Sequence, residues 1–237
     1  FFSYRLFGHT LPNMQHSFNN IASKILIKEE YGASIGSHVY DCSLIFLEYF
    51  SEISDNNHNK EFLFSKASMF YPREESETYR IVELGSGCGL LGIFLPKLIS
   101  TSASSICGKV ESILTDSRQA SLLKENIELN NAEDHLLYQN LDWTNLDLSV
   151  AQERFHMILA ADVLYDYSVK DAFVHTIEAL AFQDTIILLS QKVRDEDTAI
   201  AVGDLLSGWC VEMIYERHAV RLFYCYRLGL KRDERES

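Results

Sequence analysis

Four short blocks of this 237-residue sequence hold residue types whose spacing can do chemistry. The first is Val82-Glu83-Leu84-Gly85-Ser86-Gly87-Cys88-Gly89-Leu90-Leu91-Gly92, where an apolar run passes into an amphipathic one through closely set glycines. Glycines at such a hand-over let the chain turn tightly and bring its backbone against a ligand, while the following helix points free N–H groups at it. The spacing departs from that of a diphosphate-binding turn, which needs its third glycine at the position of Leu90 rather than at Gly89. An acidic residue, Glu83, also precedes Gly85. A carboxylate there repels a diphosphate and suits a ligand carrying an ammonium or sulfonium group. A glycine-rich turn without a ligand would use the same residue types.

The second block, Leu114-Thr115-Asp116, ends the next apolar run with a carboxylate. From that place an aspartate can accept both hydroxyls of a ribose whose other end rests on the glycine turn, or it can simply cap the following helix. The third, Leu141-Asp142-Trp143, puts an indole beyond another run, able to cover a flat purine or to pack into a core. The fourth, Ala160-Ala161-Asp162-Val163-Leu164-Tyr165, places an aspartate and a tyrosine three apart. That pair suits an amine substrate: the carboxylate orients the nitrogen and the ring face favours cationic character on it. A capping Asp beside a packing Tyr is the alternative.

These blocks need elements that bring them to one edge. From Tyr79 onward, short apolar runs (80–84, 110–114, 136–141, 156–160 and 185–189) alternate with stretches of helical periodicity (90–99, 119–131 and 169–181). This is the mark of successive βα units and a mostly parallel sheet. A further helix is expected over 196–206. The last runs, 210–215 and 221–226, lie five residues apart, too close for a crossover helix, so they must pair as an antiparallel hairpin. The expected fold is therefore α/β, a Rossmann-like doubly wound seven-stranded sheet with an antiparallel C-terminal hairpin. Residues 1–78 form an N-terminal appendage with a strand at 24–28, a turn at 32–36, a helix at 39–49 and a loop at 51–77 with local order around 62–70. Residues 79–230 form the domain, and 231–237 a solvated tail.

Composition limits the partners. Lys and Arg total 21 against 34 Asp and Glu, a formal charge of −13. Such a field repels phosphate backbones and favours cationic partners, so nucleic acid is not the expected substrate. No run approaches the roughly 18 uninterrupted apolar residues of a membrane helix. The first residues, Phe1 to Arg5, lack the basic start and apolar block of a secretory signal. Five scattered cysteines with no C-x-x-C spacing point to a reducing compartment, cytoplasmic or also nuclear, and away from a structural zinc. Cys88 reads as a small residue that fits the turn. The eight histidines show no metal-ligand spacing, so no metal is expected.

Taken in order, the glycine block, Thr115-Asp116, Glu125-Asn126-Ile127 with Asn130, Asp142-Trp143 and Ala160 to Tyr165 resemble the seven-β-strand protein lysine methyltransferases that act on elongation factors and chaperones. The resemblance spans about residues 35–229, and its motifs look closest to the branch that methylates elongation factor 2. It implies S-adenosylmethionine as cofactor, with Gly85, Ser86 and Gly87 against its methionine part, Asp116 on its ribose, and Trp143 and Ala161 flanking its adenine. Glu83 belongs to the same cofactor site. Gly36-Ser-His-Val-Tyr40-Asp41 is similar to the family's Gly-x-x-Val-Trp-Asp block, with Tyr40 in place of Trp, so an aromatic wall is kept with altered size. The implied catalytic residues are Asp162 and Tyr165, and the implied partner is a lysine-bearing protein. Arginine, small-molecule or RNA methylation, or a scaffold without activity, are the alternatives. A nucleotide-dependent oxidoreductase is disfavoured by the glycine spacing and the antiparallel ending.

Overall fold

The computed structural model describes residues 13–19, 24–30, 35–55, 78–102, 109–117, 121–132, 134–147, 154–194 and 202–227. Five parallel strands, β3 (Thr78–Leu84), β4 (Lys109–Asp116), β5 (Leu136–Asn140), β6 (Phe155–Ala161) and β7 (Ala181–Lys192), form most of one sheet. The antiparallel strands β8 (Cys210–Arg217) and β9 (Val220–Tyr226) complete it in the order β5-β4-β3-β6-β7-β9-β8. The hairpin thus inserts β9 beside β7 and leaves β8 on the edge. His218 and Ala219 turn it, both at positive φ (50° and 59°), as a two-residue loop matched to strand twist requires.

Helices α2 (Leu90–Ser102), α3 (Ser121–Leu129) and α4 (Lys170–Leu180) follow β3, β4 and β6. The central strands carry continuous buried stretches, 157–160 in β6 and 186–189 in β7, because both sheet faces are covered there. Successive residues point to opposite faces. Ile81, Leu159 and Leu188 pack with Leu91 and Leu95 of α2, whereas Val82, Ile158 and Ile187 pack with Phe173 and Ile177 of α4. None of the described helices is long and apolar enough to cross a membrane.

Ahead of the large sheet lie a hairpin, β1 (Asn13–Asn19) with β2 (Lys24–Glu30), and helix α1 (Asp41–Asp55). Helix α1 packs on β7 and β9. It runs through Asp55, so 51–55, expected as loop, continue the helix; the remainder of that loop, the local order at 62–70 and the tail at 231–237 lie outside the described residues. The turn expected at 32–36 is described from residue 35, and of the helix expected at 196–206 only 202–205 are described as helical.

Strand β2, paired with β1 on one edge, is tied to the domain by two side chains. The Asn126 amide accepts from Lys28 N (2.8 Å) and donates to Lys28 O (3.1 Å). The Asn130 amide accepts from Leu26 N (3.0 Å) and donates to Leu26 O (2.7 Å). Four residues rise about 6 Å along a helix and two residues rise nearly the same along a strand, so Asn126 of α3 and Asn130 just past its end meet alternate residues of β2. Asn126 also donates to Cys88 O (2.9 Å), tying the appendage to the glycine turn.

Candidate active site

Sheet order reverses at β3, with β4 and β5 laid to one side and β6 and β7 to the other, which opens a crevice at the strands' carboxyl ends. A cavity of about 400 Å³ occupies it. All ten residues expected at the site line this one cavity: Tyr40, Glu83, Gly85, Ser86, Gly87, Asp116, Trp143, Ala161, Asp162 and Tyr165.

The glycine turn is shaped by contact. Gly87 lies at φ 53°, and a Cβ there would sit 2.8 Å from Gly36 O, so only glycine lets the segment before α1 close over the turn. Gly85 lies at φ 67°, and its Cβ would meet Val163 Cγ1 at 3.0 Å and the Trp143 ring at 3.6 Å. Glycine at both positions therefore lets Gly36, Val163 and Trp143 pack directly against the turn at the cavity. Ser86 fastens the turn to β4: its N–H donates to Thr115 O (2.8 Å), and its Oγ donates to Glu83 O (3.2 Å) while accepting from Thr115 N (3.0 Å). Asp116 accepts from Gly87 N through Oδ2 (3.1 Å).

Glu83 has a role that the sequence analysis did not give it. Although it reaches the cavity wall, it is 3% exposed and accepts from Gly92 N (3.0 Å) through Oε2, bracing α2 against β3. Burial pushes its carboxyl up to about 8, against the opposing Ser86 side chain and Gly92 N–H. Cys88 is buried with Sγ 3.3 Å from Gly36 O, and burial raises its thiol to about 12, which fits a packing residue and not a nucleophile.

Trp143 opens a short 3₁₀ turn, Trp143–Asn145, capped by Asp142, which accepts from Thr144 N (2.9 Å) and Thr144 Oγ1 (2.7 Å). These bonds, the Thr144 hydroxyl first, hold the Asp142 carboxyl below its ordinary range. The indole packs on Phe173 (centroids 5.2 Å apart) and leans over Gly85. Tyr40 lines the same cavity and is more than a third exposed.

The other end of the cavity is built on Asp162. It sits in the left-handed region (φ 55°, ψ 34°), a conformation Asp tolerates better than most residues and one that concentrates at functional sites. Its N–H donates to Ser190 O (2.8 Å), fixing it to β7. The side chain is 7% exposed, whereas Tyr165, in the 3₁₀ turn Val163–Tyr165, is 51% exposed at the rim. The carboxylate has partners that sequence reasoning missed. Arg194 Nη1 and Nη2 donate to Oδ1 (2.7 Å) and Oδ2 (2.5 Å), and Gln191 Nε2 donates to Oδ1 (3.2 Å). Burial and the negative charge of Asp162 raise the thiol of neighbouring Cys42 far above its normal range. Nothing in the spacing of Arg194, 32 positions downstream of Asp162, signals this pair; only the parallel β6–β7 register brings them together. Among the described residues no group of three His, Cys, Asp or Glu could hold a metal ion.

One crevice thus joins a bare glycine turn, a ribose-competent carboxylate, an indole and an amine-competent carboxylate. A family model described as lysine methyltransferase matches residues 19–201, covering both ends of this crevice. The chain belongs to the lysine methyltransferase family. Similar relatives include the EEF1A lysine methyltransferase 3 of Xenopus tropicalis, 26% identical over 81% of this chain and 73% of that protein. Another is the protein N-lysine methyltransferase METTL21A of Danio rerio, 28% identical over 57% of this chain and 60% of that protein. The chain spans 61%, 73% and 60% of the lengths of three curated relatives that it matches. Among solved structures, the T. thermophilus 16S rRNA N2 G1207 methyltransferase in complex with AdoMet and guanosine shares the fold with a TM-score of 0.57 at 16% identity, covering 92% of this chain and 52% of that one. The seven-stranded architecture with its antiparallel ending is accordingly that of the class I methyltransferases.

The motif residues Gly85, Gly87, Asp116, Trp143, Ala161, Asp162 and Tyr165 all line this one cavity, with Ala161 at the end of β6.

Proposed function

We propose that this chain transfers a methyl group from S-adenosylmethionine to the ε-amine of a lysine in a protein acceptor. The observation that carries the reading is the shared cavity: residues suited to an adenosine and residues suited to an amine line one crevice. What supports the donor half is the set of residues lining the cavity: the glycine turn Gly85 to Gly87 gives a backbone without large side chains, the Asp116 carboxylate ends β4 as a ribose-binding group would, and Trp143 brings an indole of the kind that covers a purine. When bound, the cofactor supplies an activated sulfonium methyl.

The chain's own residues supply position and environment. An ordinary lysine amine, with pKa near 10.4, costs about 4 to 5 kcal/mol to deprotonate at pH 7. Loss of water from around the amine as it enters the crevice lowers that cost by disfavouring the ammonium. Asp162 orients the nitrogen, and the exposed Tyr165 ring favours cationic character that develops on it. Holding both partners in one geometry contributes the rest, since alignment alone can be worth several kcal/mol.

As acceptor we favour a translation elongation factor in the cytoplasm. The name of the Xenopus relative supports elongation factor 1A, and the motif order supports elongation factor 2. The net charge of −13 suits a lysine-rich surface. The test is incubation with methyl-labelled S-adenosylmethionine and each purified factor in turn, followed by acid hydrolysis. Label recovered as methyl-lysine, and absent with Asp162→Ala, is the expected result. Label recovered as methyl-arginine or in RNA added to the same reaction overturns the reading.

A further inference from the structure

The Asp162–Arg194 pair has a lopsided construction. The carboxylate is 7% exposed and is fixed by the fold, while the Arg194 side chain is 39% exposed and reaches it from beyond the end of β7. The carboxylate does not depend on the arginine for its position. Gln191, 1% exposed, donates to Asp162 Oδ1 through Nε2 (3.2 Å) and accepts from Leu164 N through Oε1 (3.3 Å), so it locks both Asp162 and the turn that carries Tyr165. A carboxylate this enclosed is costly without a cation, and the chain provides one. Both groups line the cavity, so the guanidinium lies where an incoming amine must approach Asp162.

We infer that Arg194 is a resident substitute for the substrate's ammonium: it holds Asp162 while no substrate is present and yields it, by exchange of one cation for another, when a lysine side chain enters. Arg194 is then a specificity-determining residue. It sets a threshold that a cationic side chain delivered into the cavity must exceed, and it leaves neutral side chains without a place. This rests on the reading of Asp162 as the amine-orienting group. The exchange keeps the site electrically balanced, since one positive charge leaves the carboxylate as another arrives, and no bond is made or broken. A competitor that fills the site nine-tenths of the time weakens apparent substrate binding about tenfold.

The test uses the whole chain labelled with ¹⁵N and titrated with n-butylammonium as the lysine side-chain probe, with n-butanol as a neutral control. The Arg194 Nε–Hε signal, identified by its loss in Arg194→Met, is expected to move to the position of a solvated guanidinium as the probe saturates. Arg194→Met is expected to bind the probe about tenfold more tightly than the wild type. An Arg194 signal unmoved at saturation, equal or weaker binding by Arg194→Met, or absence of saturable binding to either form each overturns the inference. If Arg194→Met does not fold, the wild-type signal and the same titration of Arg194→Gln decide. The methyltransferase reading fails separately, if S-adenosylmethionine does not bind the wild type in a calorimetric titration run without amine.

Discussion

Replacing Glu83 with Gln is expected to stabilise the fold at neutral pH, by an amount that grows with pH. Burial beneath α2 raises the Glu83 carboxyl from its ordinary value of 4.5 to about 8. Between those values the folded chain holds a proton that the unfolded chain has released. Its contribution to stability is thus fully present below 4.5 and is lost as pH rises through about 8. Each pH unit in that window removes about 1.4 kcal/mol, so at pH 7 this one group costs the fold about 3 kcal/mol. Gln has the same shape and keeps an oxygen for the Gly92 N–H, but it never ionises. Urea unfolding of both proteins across the window measures the difference directly. It should be near zero at the acid end and should rise to about 3 kcal/mol in favour of Gln at pH 7. A flat difference, or a Gln variant less stable than wild type at the alkaline end, would refute the account of a neutral buried carboxyl.

Other substitutions probe the remaining walls. Gly87→Ala drives a Cβ to 2.8 Å from Gly36 O at φ 53°, which should cost about 1 to 3 kcal/mol and weaken S-adenosylmethionine binding in calorimetry. Gly203→Ala, with nothing within 4 Å, should raise the melting temperature slightly and serves as its control. Asn126→Ala leaves Lys28 N and Cys88 O without their partner, so thermal unfolding should show a loss of about 1 to 3 kcal/mol. In the same variant the Lys28 amide should exchange faster with solvent. Tyr165→Ala should slow single-turnover methylation about tenfold through loss of the ring face, while Tyr165→Phe, which keeps the ring, should stay within a few-fold of wild type.

Sequence pattern and structure agree best where a local rule decides the outcome. The runs of β6, β7 and β9 are continuous where both sheet faces are buried, and the five-residue gap between the last two runs forced an antiparallel pairing. The glycine turn was legible because positive φ and close approach admit few other residues. Element ends were less so: α1 continues through Asp55, over residues whose polarity alone reads as loop. The hidden part of the site is what long-range register creates. Arg194 and Gln191 reach Asp162 across parallel strands, and Gly36 meets Gly87 across half the domain's topology, with no spacing in the chain to announce either. Glu83 illustrates a different limit, since its residue type suggested a partner for a cation while its burial gives it a structural bond to Gly92.

The central claim is that the crevice at the carboxyl ends of β3, β4 and β6 is a methyl-donor site. Calorimetric titration of the wild type and of Asp116→Ala with S-adenosylmethionine, and separately with NADH, tests it most directly. The account predicts micromolar, one-to-one binding of S-adenosylmethionine to the wild type, loss of that binding in Asp116→Ala, and no heat with NADH. Binding of NADH in place of the methyl donor, or binding of the donor that survives in Asp116→Ala, would contradict it.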